Sequence, residues 1–336
     1  MIRVAINGYG RIGRVAHRVI LEKFTDKIDL IAINAGSSTD TKGWAYLLKY
    51  DSSYGVLNNE ISSDSSNIIV DGKKIKVLSE KDPTKLPWKD LDIDVVIEST
   101  GHFTDEEGLK MHLTAGAKAV VLSAPTKSDD IPTYVLSVNS KDYKGENAIS
   151  NASCTTNCIT PVAKVILDNF GIERAMMTTI HGYTSDQRLQ DGGHKDYRRG
   201  RAAALNIVPT STGAAIAATK AIPELKGLFE GLAIRVPVPV GSLSDFTFIV
   251  KKETTEEEVN TALKKAAEAP SYKNILAVTE DPIVSSDIVG NPHSSIVDLS
   301  LTKVSGNMVK VIAWYDNEYG YANRLVEEVL LVANRK

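Results

Sequence analysis

Apolar positions in the first third of the chain fall in short β-branched runs separated by helical patterns. Arg3–Asn7, Asp29–Asn34, Asp94–Glu98, Lys118–Leu122 and Asn147–Asn151 read as buried strands, with a helix over Arg11–Lys23. Near-continuous apolar strands alternating with helices predict βαβ units and a parallel sheet, because such strands are covered on both faces. After about residue 153 the pattern changes. A helix over Ala152–Asp168 leads to a strand at Arg174–Ile180 and an irregular loop, 186–203, rich in Gly, His and Arg. Longer alternating runs at Leu232–Val240, Phe246–Lys251, Ser295–Asp298 and Met308–Tyr315 predict antiparallel strands, with helices at Thr212–Ala221, Thr255–Ala269 and Gly320–Asn334. The pattern is that of an α/β domain followed by an α+β domain, with no internal repeat and no Pro/Gly linker between them.

Composition narrows the function classes. A chain of 336 residues with 43% hydrophobic and 24% charged residues has ample material for two packed domains. Disordered, collagen-like and small disulfide-stapled classes are excluded. Lys+Arg 39 against Asp+Glu 42 leaves a net charge of −3, so no global basic excess exists to hold nucleic acid or an anionic membrane. The two cysteines, Cys154 and Cys158, cannot build a disulfide framework and suggest a reducing compartment. The N-terminus meets Gly8 and Arg11 too early for a signal peptide, and no run approaches the ~20 apolar residues of a membrane span. A cytoplasmic protein without a membrane partner is expected.

Gly8, Gly10 and Gly13 form G-x-G-x-x-G directly after a predicted strand and at the start of a helix. That context fits a dinucleotide: the first glycine permits the tight turn, the second lets backbone approach the pyrophosphate, and the third allows helix–strand packing. The helix N-terminus, with Arg11 and Ile12, then faces the phosphates. A carboxylate about 20 residues on normally takes the ribose 2′-OH of NAD. Here the second strand runs into Ala35-Gly36-Ser37-Ser38, with no acid before Asp40. Losing the carboxylate removes its repulsion toward a 2′-phosphate, which the two hydroxyls, Gly36 and Lys81 can accept. NADP, or use of both cofactors, is therefore expected; the other reading has Asp40 or the backbone serving NAD. Ser123, at the end of another strand, joins the cofactor set.

Cys154 lies in SNASCTTNCITP at a predicted strand-to-helix junction, where the helix dipole lowers a thiol pKa. A nearby histidine would complete the minimum for nucleophilic catalysis. His181, ending a strand in TTIHGYT, suits the role. Cys158 reads as packing, His17 as helix surface, and His102 and His112 as flanking a short helix. No cysteine or histidine spacing supports a metal site.

Assembled in order, these segments resemble the phosphorylating glyceraldehyde-3-phosphate dehydrogenases over essentially the whole chain. The motifs are NGYGRIGR at the start, LLKYDSSYG at 47–55, STGHF at 99–103, SNASCTTNC at 150–158 and HGYTSDQ at 181–187. HKDYRRGRAA at 194–203, PTSTGAA at 209–215, RVPVPVGS at 235–242 and WYDNEYGYANR at 314–324 follow. The resemblance implies that Cys154 is the nucleophile and His181 the general base and oxyanion donor. It implies that Asn317 bonds the nicotinamide amide, and that Thr184 and Arg235 bind the C3 phosphate of glyceraldehyde 3-phosphate. Ser153, Thr155, Thr212, Gly213 and Arg199 resemble the site for attacking inorganic phosphate. NAD-using members typically carry Asp at position 35, and many carry Arg at position 81, so the cofactor is left open between NADP and NAD. The implied fold is α/β, a Rossmann-type doubly wound parallel sheet at 1–151, with an α+β catalytic domain at 152–317 whose sheet is mostly antiparallel. A C-terminal helix, 318–336, returns to the first domain. The long basic loop resembles one that lines a neighbouring subunit's cofactor site, implying a homotetramer. Two rivals are an erythrose-4-phosphate dehydrogenase, which hydrolyses its thioester, and a non-catalytic RNA binder using HKDYRRGR. The Ser211-Thr212-Gly213 segment argues against the first, and a lone Tyr197 offers the second little stacking surface.

Overall fold

The structure is a computed structural model and describes residues 1–36 and 38–334; Ser37 lies outside the described residues. The chain divides into two compact units, one of Met1–Tyr134, Asp142–Ala152 and Ala322–Lys336, the other of Val135–Lys141 and Ser153–Tyr321.

Unit one begins β1 (Ile2–Asn7), α1 (Arg11–Lys23), β2 (Ile28–Asn34), α2 (Thr41–Lys49) and a short ribbon of β3 (Tyr50–Asp51) with β4 (Gly55–Val56). It continues through β5 (Ile61–Ser63), β6 (Asn67–Val70), β7 (Lys73–Leu78), β8 (Val95–Glu98), α3 (Glu106–Thr114), β9 (Ala119–Leu122) and β10 (Ala148–Ser150). The sheet order is β10-β9-β8-β1-β2-β7-β6-β5. All pairs from β10 to β7 are parallel, while β6 and β5 close the edge antiparallel. Chain order reverses between β1 and β8, and a doubly wound sheet binds its ligand outside the carboxyl ends of the strands at that point. Ala5, Ala32, Val96, Val120, Leu109 and Trp88 form part of the core there. Each fully buried large aliphatic contributes roughly 1.5–3 kcal/mol.

Two histidine expectations are overturned. His17 is not on the helix surface: it is fully buried, with Nδ1 2.6 Å from the Tyr9 hydroxyl. His112 lies within α3 and is equally buried, accepting a hydrogen bond from Trp88 Nε1 at 3.1 Å. Both face the sheet, where a buried imidazole is tolerated because a ring nitrogen finds a hydrogen-bond partner.

Unit two holds α4 (Cys154–Phe170), β11 (Ile172–Gly182), β12 (Val208–Ser211), α5 (Ala214–Ala221), β13 (Phe229–Val236) and β14 (Ser242–Val250). Then come α6 (Glu256–Glu268), β15 (Leu276–Thr279), β16 (Ser295–Ser305), β17 (Met308–Tyr315) and α7 (Tyr319–Ala333), whose residues from Ala322 on belong to unit one. The sheet order is β12-β13-β11-β14-β17-β16-β15; β11–β13 and β15–β16 are parallel and the other pairs antiparallel. The mostly antiparallel expectation holds. Strands run longer than their apolar centres, since pairing continues through polar positions such as Thr178–Asp245. α6 starts where Thr255 and Glu258 form a reciprocal capping box, satisfying two otherwise orphaned N–H groups. Cys158 is sealed in the core with Ile159, Val162, Phe246 and Val311, as a packing residue should be.

Candidate active site

In unit one the glycine motif divides its labour visibly. Gly8 has φ +96°, and a Cβ there would lie 2.6 Å from the backbone of Ser99 and Thr100. A Cβ on Gly13 would strike the Gly8 carbonyl. Gly10, by contrast, fronts open space with nothing within 4 Å. Two glycines let β1, α1 and the turn after β8 pack together, and the third leaves the backbone bare where a pyrophosphate can approach. The α1 N-cap at Gly10 has no side-chain partner, leaving the helix N-terminus available to an anion. Arg11 is anchored by Asp51 at 2.5 Å, which holds its side chain across the start of α1.

At the end of β2, Ala35 and Gly36 are half-buried and Lys81 is exposed on the neighbouring turn. Ser79 Oγ donates to the Gly36 carbonyl at 2.8 Å, tying the two turns together. Asp40 is committed elsewhere: its carboxylate caps α2 by accepting from Gly43 N at 2.8 Å. Ser123 follows β9, its N–H bonded to Glu98 O at 2.8 Å.

In unit two Cys154 is the first residue of α4, behind an N-cap formed by Ser153, whose hydroxyl accepts from Thr156 N at 3.1 Å. The residue before the cap, Ala152, sits at φ +54°, a left-handed conformation unusual for a residue with a Cβ. His181 is near the end of β11, with Nε2 3.4 Å from Cys154 Sγ. Its Nδ1 lies 2.6 Å from the Gly182 carbonyl. With its hydrogen on Nδ1, donated to that carbonyl, the ring turns the Nε2 lone pair toward the thiol.

Burial pulls the His181 imidazole down to about 3, with the Arg235 charge adding to the effect. Burial also pushes the Cys154 thiol up, against the pull of Arg235 and of the Thr155 hydrogen bonds. The sequence expectation of a lowered thiol pKa considered only the helix terminus; desolvation is the larger influence. Burial therefore favours the uncharged forms, thiol and neutral imidazole, in the pair that meets at 3.4 Å.

Two arginine charges act on this pair. Arg235 Nη1 lies 2.9 Å from His181 Nδ1 and donates to Gly182 O at 3.1 Å, while its buried Nε has no partner among the described residues. Arg199 is held by Asp186 at 2.6 Å, by the Thr210 hydroxyl at 3.0 Å and by the Ser211 carbonyl at 3.1 Å. Thr212 accepts from Ala214 N at 3.2 Å, and the Gly213 N-cap of α5 has no side-chain hydrogen bond. Thr184 is half-buried in the turn after β11. An orphaned guanidinium nitrogen, an uncapped helix N-terminus and two arginines make unit two suited to phosphate-bearing ligands.

Thr155 is placed otherwise than an open phosphate ligand would be: it is buried, and its hydroxyl is 2.9 Å from the Tyr315 hydroxyl. Tyr315 also meets the Thr179 hydroxyl at 2.8 Å and sets its ring edge-on to His181. Asn317 Oδ1 accepts from Gly241 N at 3.1 Å and Ser242 Oγ at 3.0 Å, which fixes the orientation of its amide. Sequence reasoning assigned no role to Tyr315 or to Asp186. Both sit inside quoted motifs, but only the tertiary bonds reveal what they hold. Among the described residues no cluster of His, Cys, Asp or Glu suits a metal ion, and no helix is long and apolar enough to cross a membrane.

Comparison with known proteins converges on one family. A family model described as the NAD binding domain of glyceraldehyde 3-phosphate dehydrogenase matches residues 2–106, and one described as its C-terminal domain matches 153–317. Curated glyceraldehyde-3-phosphate dehydrogenases of Streptomyces coelicolor and Mycobacterium avium are 52% and 55% identical to the chain, covering 99% and 98% of each partner. That of Borreliella burgdorferi is 53% identical over 97% of the chain and 98% of its own length.

Proposed function

The chain belongs to the glyceraldehyde-3-phosphate dehydrogenase family, and we propose that it oxidises D-glyceraldehyde 3-phosphate to 1,3-bisphosphoglycerate with NAD(P) and inorganic phosphate. The observation that carries this reading is the Cys154–His181 contact at the start of α4, bordered by Arg235 and Arg199.

Cys154 transfers its proton to His181 Nε2 as Sγ adds to the aldehyde carbon, giving a hemithioacetal. Donors already in place stabilise the developing oxyanion; the Cys154 N–H and the protonated imidazole fill that role, and the imidazolium then gives its proton to the oxygen, leaving the hemithioacetal hydroxyl and a neutral ring. His181 then takes the hydroxyl proton as the C–H bond gives up its hydride, a contribution typically worth 10²–10⁴-fold. The nicotinamide of the bound cofactor supplies the hydride acceptor. The thioester left on Cys154 retains the oxidation energy, and phosphate attacks its carbonyl carbon, expelling the thiolate. Arg235 and Thr184 hold the substrate's C3 phosphate. Ser153, Thr155, Arg199, Thr212 and Gly213 are the proposed surroundings of the attacking phosphate, with Thr155 acting through its Tyr315 bond. Asn317 presents its amide to the nicotinamide carboxamide.

The cofactor domain of this proposal is 1–151 with the returning helix 318–336, and the catalytic domain is 152–317. Gly8, Gly10, Arg11, Ile12, Gly13 and Ser123 serve the cofactor, with Ala35, Gly36 and Lys81 around its ribose; the expected Ser37 lies outside the described residues. NADP, or dual use, is the expected preference, supported by Ala35 and by the commitment of Asp40 to the α2 cap. We place the enzyme in the cytoplasm as a homotetramer; exposed Tyr46, Tyr50 and Val56 in unit one and Met176, Ile207 and Leu232 in unit two support self-association. Light scattering tests the tetramer.

The deciding experiment is steady-state oxidation with NAD and NADP separately, each with and without phosphate. Phosphate-dependent turnover supports the phosphorylating reaction, and phosphate-independent turnover would replace it with thioester hydrolysis. A tenfold preference in kcat/KM, about 1.4 kcal/mol, decides between the cofactors.

A further inference from the structure

Beneath the cofactor face of unit one lies a buried polar network that the proposed reaction does not use. Glu98, the last residue of β8, is fully buried, as are Asn7, Asn34, His112 and Trp88 around it. Its Oε2 accepts from Asn7 Nδ2 at 2.5 Å and faces His112 Nε2 at 3.0 Å. Its Oε1 accepts from Thr100 N at 2.8 Å and from the Thr100 hydroxyl. An indole N–H can only donate, so Trp88 fixes His112 Nδ1 as the acceptor and places the ring hydrogen on Nε2, aimed at Glu98. Every neighbour of this carboxylate is therefore a donor, which is the shell an acceptor-only group needs when buried.

The donor chain continues outward. Asn34 Nδ2 donates to Asn7 Oδ1 at 2.6 Å and to Glu80 O at 2.8 Å, while Asn34 Oδ1 accepts from Glu80 N at 2.9 Å. Asn34 thus clasps the turn bearing Lys81 against the end of β2, next to Ala35. Gly8 N bonds Asn34 O at 2.9 Å, and the Ser99 hydroxyl bonds Gly8 O at 2.7 Å. One carboxylate accordingly ties together the turns that follow β1, β2 and β8, on both sides of the point where strand order reverses.

We infer that Glu98 is a positioning residue for the cofactor: through Asn7 and Asn34 it holds the ribose-facing turns in register, and through Thr100 it holds the turn that packs on Gly8. The inference rests on the proposed NAD(P) reading. It concerns binding of the adenosine half rather than the chemistry at Cys154, and the two separate experimentally.

Glu98→Gln preserves shape but puts an amide N–H against a donor, either at Asn7 and His112 or at Thr100. The expected result is a rise of about tenfold in the ADP-ribose dissociation constant and in the dinucleotide KM. At saturating cofactor kcat should stay within about twofold and the aldehyde KM should not move, since the Cys154 site is untouched. A lowered melting temperature with unchanged ADP-ribose affinity would overturn the inference and leave Glu98 as a brace only. If Glu98→Gln does not fold, Trp88→Phe removes the donor that fixes the His112 tautomer while keeping an aromatic ring in the core, and about a threefold weakening of ADP-ribose is then expected; unaltered affinity there overturns the inference equally. Failure of the wild-type enzyme to bind ADP-ribose at all would instead remove the cofactor reading, and the network's role with it.

Discussion

His181 Nε2 stands 3.4 Å from Cys154 Sγ, and the far side of the same ring is braced by the Gly182 carbonyl at 2.6 Å. With its hydrogen on Nδ1 the ring can accept the thiol proton through Nε2. Replacing His181 with Asn removes the base but keeps a polar side chain. The pre-steady-state burst of reduced cofactor should slow by about 10²–10⁴-fold, while cofactor affinity holds. A loss below tenfold would mean that another group takes the proton.

The Cys154 thiol is pushed up by burial and pulled down by Arg235. Removing that charge in Arg235→Leu should leave only the weaker pull of the Thr155 and backbone hydrogen bonds against desolvation. The pH profile of iodoacetamide alkylation is then expected to move to higher pH, by about one unit. A profile that stays in place would show that the guanidinium acts only on substrate.

His17 and His181 are each held neutral down to about 3 by burial, whereas an unfolded chain protonates them near 6.5. Between those values the unfolded state binds more protons, so stability rises with pH and is lost as pH falls from about 6.5 toward 3. Each histidine contributes a slope of about 1.4 kcal/mol per pH unit in that window. Guanidinium titrations of His17→Gln between pH 4 and 6 should show the slope reduced by about that amount. An unaltered slope would mean that His17 gains its proton in the folded state too.

Gly8 and Gly10 should respond oppositely to alanine. At Gly8 the new Cβ meets backbone at 2.6 Å with φ at +96°, so a cost of at least about 2 kcal/mol in folding stability is expected. At Gly10 nothing lies within 4 Å, so the melting temperature should hold while the cofactor KM rises about tenfold or more. Calorimetry beside steady-state kinetics reads both. Equal destabilisation of the two variants would contradict the division of roles.

Ala35→Asp restores a carboxylate where the ribose 2′ position is expected. The ratio of kcat/KM for NADP over NAD should fall about tenfold or more, through repulsion of the 2′-phosphate. No change in the ratio would locate cofactor choice away from position 35.

Much of this architecture was legible in the residues. Burial of successive strands is written in their composition, as in Val95–Glu98 and Ala119–Leu122, and Met308–Tyr315 was readable to the residue. The reactive pair could be found because one thiol and one strand-ending histidine fall in distinctive motifs. The losses have a common cause. His17 looked like surface because its partner, the Tyr9 hydroxyl, lies in the preceding glycine turn rather than on the helix. Trp88 and His112 meet across 24 residues, and Thr155 and Tyr315 across 160, separations that leave no periodic trace. Strands β5 to β7 escaped because they are short and their buried positions, Ile68, Val70, Ile75 and Val77, alternate with others among flanking polar residues, giving no long apolar run. The thiol pKa went astray for the same reason, since desolvation depends on neighbours distant in sequence.

The last helix carries a consequence for biosynthesis. Its residues from Ala322 onward belong to unit one, where Leu325, Val326 and Val329 are fully buried and Lys23 reaches Asn323 at 2.7 Å. The N-terminal sheet is therefore translated early yet cannot be finished until the final segment leaves the ribosome. At 5–20 residues per second that is a wait of tens of seconds, with an incomplete apolar face exposed. A nascent chain stalled before residue 322 leaves the first-made half uncovered, so the molecule should lean on holdase chaperones through most of its synthesis.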